Sequence, residues 1–120
     1  MSKFLSELEV EPVDMSNDVG KWRLVSDLVY QSDVANQTIT VPKGFVTDFA
    51  SVPRLPIAFA LFGDTSHEAA TVHDWLYTSH IVPRNVADAV LREASQVSGV
   101  PAWRRWPMWA GVRLFGASHW

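Results

Sequence analysis

Residues 66–77 read SHEAATVHDWLY, and the reading of this stretch decides the fold. Up to about Asp48 the chain alternates or is rich in β-branched and aromatic side chains; here the period changes. Ala69, His73 and Tyr77 recur at i, i+4 and i+8, so a helix puts them on one face, with Asp74 about 100° away. Thr65, followed three residues later by Glu68, is a capping box and predicts the helix start. The helix is expected to run to about Ser79, ahead of Pro83. An apolar helix face that carries an imidazole needs a chemical reason.

Downstream, the short connection between Ser79 and Arg84 predicts an antiparallel helix hairpin. Asn85 is the expected N-cap of VADAVLREASQV, whose Val86, Val90, Leu91, Ala94 and Val97 lie along one face, and Gly99 is its C′ stop. A last helical stretch after Pro101 is expected to break or restart at Pro107. Upstream, ASVPRLP should be an irregular loop leading into a short apolar helix, IAFALF.

Before that, LEVEPVD, KWRLVSDLVYQ and QTITV read as strands, separated by the turn-forming clusters SNDVG and SDVAN and closed by Pro42–Lys43–Gly44. The fold class is therefore α+β: a small N-terminal antiparallel sheet packed against three or four C-terminal helices, including the hairpin. One domain is expected over residues 1–120, with strands mainly in 1–48 and loop and helices in 49–120.

Composition excludes several classes. The chain has 120 residues, 48% of them hydrophobic and 19% charged, enough for one core and too few for two comfortable ones. A net charge of −3 gives no electrostatic case for nucleic acid. With no cysteine there is neither a disulfide framework nor a thiolate metal site. No apolar run reaches the ~18–20 residues of a membrane span. The opening MSKFLSELEVEPVD is acidic where a secretion signal would be apolar, so synthesis in the cytoplasm is expected.

The two histidines of the opening stretch do not make a zinc site. His67 and His73 are six apart, on different faces, and neither has a histidine four residues away. His73 and His80 share a face but stand ~10 Å apart along the axis. The hairpin instead returns Asp88 to within about one turn of His73. A carboxylate on one ring nitrogen leaves the other as a general base for water. Asp74 is a hard oxygen donor suited to calcium or magnesium, and GFVTDFASVPR adds Asp48 and Ser51 nearby.

Two resemblances follow from these motifs. GFVTDFASVPR, HDWLY, the Ala87–Asp88 pair and GVRLFG together resemble an uncharacterised family, a domain of unknown function in small tailed-phage and prophage proteins, over roughly residues 38–116. This resemblance implies a phage protein made in the host cytoplasm, with the phage particle and its structural proteins as a destination. AATVHDWLY followed by Ala87–Asp88 is more distantly similar to the active-site helix pair of phospholipase A2 domains. That similarity implies His73 as base, Asp88 as its orienting acid, Asp74 as a Ca2+ ligand and Tyr77 in support; Asp48 as a second metal donor and Ser51 as a supporting residue come from the loop reading alone. For a phage hydrolase, analogy makes a lipid or cell-envelope ester the natural substrate. The glycine-rich calcium loop of those enzymes is missing in its usual form, with KGFVTDFAS as the nearest substitute.

Each residue also has a plain structural reading. His73 and Asp88 fit a core hydrogen-bonded pair, and Asp88 at N3 would favour a helix N-terminus. Asp74 fits an ion pair with Arg54 or Arg84, Asp48 and Ser51 fit a capped loop, and His67 a solvated first turn. The C-terminal Trp103, Arg104, Arg105, Trp106 and Trp109 fit either a membrane-surface or partner-binding stripe, or core aromatics with arginines reaching out. Two functional classes remain: a metal-assisted His–Asp hydrolase, and a non-catalytic virion, tail or assembly component that keeps the cluster as scaffolding.

Overall fold

In the computed structural model the described residues are 1–14, 21–47, 67–115 and 120, without the side chains of Asp14, Arg104, Met108 and Phe115. Among these residues, six strands precede three helices. The strands are β1 (Lys3–Phe4), β2 (Val10–Asp14), β3 (Lys21–Leu24), β4 (Leu28–Ser32), β5 (Gln37–Val41) and β6 (Val46–Thr47). The helices are α1 (His67–Ser79), α2 (Arg84–Val97) and α3 (Ala102–Phe115).

The α+β reading holds, with one enlargement: there are two three-stranded antiparallel sheets, ordered β1-β4-β5 and β2-β3-β6. The run KWRLVSDLVYQ, read as one strand region, divides between them at residues 25–27. In the first sheet Leu28 pairs with Val41 and Tyr30 with Ile39, and all four are buried against the helices. One sheet face therefore supplies half of the core, as period-2 alternation requires. Gly44, at φ 92°, makes the turn after Pro42 that leads into β6.

Helices α1 and α2 pack as the antiparallel hairpin, burying Ala69, Val72 and Leu76 from one and Ala87, Val90, Leu91 and Ala94 from the other. Val97, assigned to the apolar face, is instead exposed at the helix end. The expected N-cap also shifts: Pro83 holds the cap position in extended geometry and the helix begins at Arg84, so Asn85 is already helical. Proline suits this boundary because it donates no N–H. Asp88 consequently lies a full turn inside α2 and is not a first-turn carboxylate.

Gly99 ends α2 as read. At φ 90° it bonds back to the Gln96 carbonyl at 3.1 Å while Val100 bonds to Ser95 at 2.9 Å, the paired bonds of a Schellman stop. Pro107 does not break α3, which runs through it. The proline is on the exposed side, where a released carbonyl can turn to water, while Val112 anchors the helix in the core. The expected helices and loops within residues 48–66, and the cluster SNDVG, lie outside the described residues.

Candidate functional site

The hairpin brings His73 and Asp88 together. His73 Nε2 stands 2.9 Å from Asp88 Oδ1, with the ring 1% and the carboxylate 0% exposed. Tyr77, one turn beyond His73, donates to the same oxygen at 2.5 Å. The i+4 spacing that put both on one face of α1 thus aims them at one acceptor on α2. Their rings lie 4.3 Å apart, tilted. The terminal Trp120 packs edge-on against Tyr77 at 5.1 Å and stacks on His80 at 3.9 Å.

Two arginines complete the cluster, and neither was among the expected site residues. Arg113 Nη1 donates to Asp88 Oδ2 at 2.9 Å. Arg84 donates through Nε to the Tyr77 hydroxyl at 3.2 Å, and its Nε is 3.9 Å from Asp88 Oδ2. Its Nη2 donates to the carbonyls of Val112 and Arg113 at 2.7 and 2.9 Å. Those carbonyls belong to the last turn of α3, which has no helical N–H to accept. One guanidinium therefore ties the end of α3 to the start of α2. GVRLFG contains Arg113, and a buried aspartate's need for a cation was the signal that could have found it.

Burial alone would push the Asp88 carboxyl up. Hydrogen bonds from His73 and Tyr77, the His73 charge and the bond from Arg113 outweigh it and hold the group below the usual carboxylate range. The Tyr77 phenol moves up, through burial first and its bond to Asp88 second, with Arg84 opposing. Asp88 is thus the ionised centre of the cluster and Tyr77 a neutral donor to it. An ionised acceptor at Nε2 places the neutral ring's proton there and the lone pair on Nδ1. Nδ1 is buried and has no hydrogen-bond partner among the described residues.

Asp74 points elsewhere, as its angular position predicted: its Oδ2 accepts from Thr47 Oγ1 at 2.9 Å, which ties α1 to β6. Arg84, one of the two arginines weighed for Asp74, is engaged with Tyr77 and the α3 carbonyls. His67 is exposed at the helix start. Asp48 and Ser51 lie outside the described residues. Among the described residues no group of three or more His, Cys, Asp or Glu could hold a metal ion. Calcium takes 6–8 oxygen ligands, and the described donors alone do not fit it.

In α3, Trp103 and Trp106 are mostly exposed and Trp109 half-buried. Arg105 donates to the Val100 carbonyl at 2.8 Å. The side chain of Arg104 lies outside the described residues. No helix among the described residues is long and apolar enough to cross a membrane.

No curated protein and no solved structure matches the chain. A family model described as a protein of unknown function, DUF1353, matches residues 22–112, well over half of the chain, which belongs to that family.

Proposed function

We propose that this chain is a hydrolase in which His73 activates water against an ester of lipid or cell-envelope material, and that it is encoded by a tailed phage. One observation carries the catalytic reading: the ring has Nε2 fixed by an ionised Asp88 and Nδ1 unspent and buried. A buried acceptor left unbonded costs about 1–3 kcal/mol, which a structural pair would avoid by turning the ring or adding a donor. In the proposed step Nδ1 takes a proton from water as the oxygen adds to the ester carbon. The tetrahedral intermediate then expels the alkoxide, which recovers that proton from Nδ1. Asp88 keeps the ring oriented and stabilises the transient imidazolium. Tyr77 and Arg113 keep Asp88 in place.

A metal role for Asp74 with Asp48 is a separate proposal, and no step above runs through it. Calcium is expected to raise the melting temperature of the chain, and Asp74→Ala to abolish that rise.

The near-complete burial of the ring favours a second reading, a non-catalytic virion, tail or assembly component braced by the cluster. A panel of simple esters and phospholipids separates the two. The hydrolase reading expects turnover that falls at least ~100-fold in His73→Asn. No turnover by the wild-type chain, together with its co-migration with assembled particles on a gradient, would establish the second reading instead.

A further inference from the structure

The solvent side of α3 is apolar. Trp103, Trp106, Pro107, Ala110 and Leu114 follow the i, i+3, i+4, i+7, i+11 spacing of one helical stripe. Trp103, Trp106 and Leu114 are 65%, 52% and 73% exposed. Surface helices ordinarily turn polar residues outward. Here Gly111 and Val112 face the core, while the stripe keeps most of its surface in solvent. The Arg92 guanidinium lies over the Trp106 ring at 4.2 Å, and Trp106 meets Trp109 edge-on at 5.8 Å. The aromatic edge is thus braced and has a cation beside it.

Charge decides what this face fits. All thirteen acidic residues lie at or before Glu93, together with seven of the ten basic ones. Residues 94–120 hold Arg104, Arg105 and Arg113 and no acidic side chain. With Arg113 paired to Asp88, Arg104 and Arg105 still give the exposed apolar helix a basic balance in a chain of net charge −3, and Arg92 of α2 stands over its Trp106. A second copy would set two such basic ends against each other. An anionic lipid surface offers hydrocarbon and opposite charge together, and tryptophan favours that boundary. Fourteen residues span ~21 Å against a hydrocarbon core of ~30 Å. Such a helix lies on a bilayer and does not cross it.

We propose that α3 is a membrane-surface helix whose Trp103, Trp106 and Leu114 enter the interface of an anionic bilayer. The proposal goes beyond the reading of His73 and stands whether or not that residue is catalytic. The test is sedimentation of the full chain with sucrose-loaded vesicles of phosphatidylcholine alone and of phosphatidylcholine with phosphatidylglycerol in equal parts. Binding to the mixed vesicles is expected to exceed binding to the neutral ones and to weaken with salt. It should fall about tenfold or more in Trp103→Ser/Trp106→Ser and in Leu114→Glu. Leu114 is 73% exposed and its replacement leaves the Arg92–Trp106 contact untouched, so Leu114→Glu should keep the wild-type melting temperature and loss of binding in it is not loss of the fold. Absence of binding to the anionic vesicles at low salt, or equal binding by the variants, overturns the proposal. So does a dimer that Leu114→Glu dissociates without any vesicle binding by the wild-type chain. No readout depends on turnover, so failure of the hydrolase reading leaves this result intact.

Discussion

Asp88 holds a negative charge at 0% exposure because four side chains surround it, and removing the charge should unsettle all of them. Asp88→Ala is expected to cost about 3–5 kcal/mol in denaturant titration, since Arg113 would be left facing a partner that is gone. The pH dependence has a definite sign. With its folded pKa depressed, Asp88 contributes stability that is complete above the unfolded carboxylate's ~3.9 and is lost as pH falls through its own lower value. Asp88→Asn should therefore lose stability at neutral pH and show a shallower acid limb than wild type, measured by chemical denaturation from pH 6 down to about pH 2. Equal acid limbs would show that Asp88 titrates normally. At this scale the meeting of His73 and Asp88 could be read beforehand, because helical spacing and a short connection fix the axial level of both. The buried carboxylate called for a cation, but the spacing alone did not say which, because Arg113 is 25 residues further on and only the packing of α3 brings it back.

Among the elements, α2 is the strut that the others lean on. Glu93 on its outer turn accepts from Tyr30 and Ser32 at 2.9 and 2.7 Å and from the Val34 amide at 3.0 Å, joining β4 and the following turn to the helix. Glu93→Gln keeps the shape and removes the charge, so a loss of about 1–2 kcal/mol is expected in thermal or chemical unfolding. At the helix end, Gly99 stands at φ 90° with open space where a Cβ would go, so Gly99→Ala meets backbone strain alone. Its expected cost is about 1 kcal/mol; a neutral result would mean that the stop relaxes to another conformation. The switch from period 2 to period 3.6 made the strands and the hairpin legible in order. It could not show that Lys21–Leu24 and Leu28–Ser32 join different sheets, because alternation specifies a strand's faces and says nothing of its neighbours. Pro107 misled for a related reason: its local preference is to end a helix, and the anchoring of Val112 on the opposite side overrides it.

For the molecule as a whole, the two sheets have unequal shares of the core. Leu28, Tyr30, Ile39 and Val41 of the first sheet are sealed beneath the helix pair, whereas the second sheet contributes Leu24 fully and Val10 only in part. The second sheet is also tied to α1 at its rim, by Thr47 to Asp74 and by Phe45 edge-on to Trp75 at 5.3 Å. Buried apolar area sets how much free energy a segment must lose before it opens. Amides of β4, β5, α1 and α2 should therefore exchange with solvent deuterium through global unfolding, with protection that follows added denaturant steeply. Amides of β2 and β3 should exchange earlier, through an opening that leaves the helix pair closed. Thr47→Val cuts one tie and should speed exchange in β3 and β6 while leaving β4 and β5 unchanged. If all six strands lost protection together, the sheets would be one cooperative unit and the rim contacts would matter as much as the core. The His73–Asp88 cluster belongs to the slow-exchanging part, between the two helices that seal the first sheet. Any motion that admits water or substrate to Nδ1 must then be local to the ends of α1 and α3, where Trp120 covers Tyr77 and Arg84 holds the α3 carbonyls. Arg84→Gln should accordingly raise exchange in the last turn of α3 and the accessibility of His73 to diethyl pyrocarbonate, with β4 and β5 protected as before.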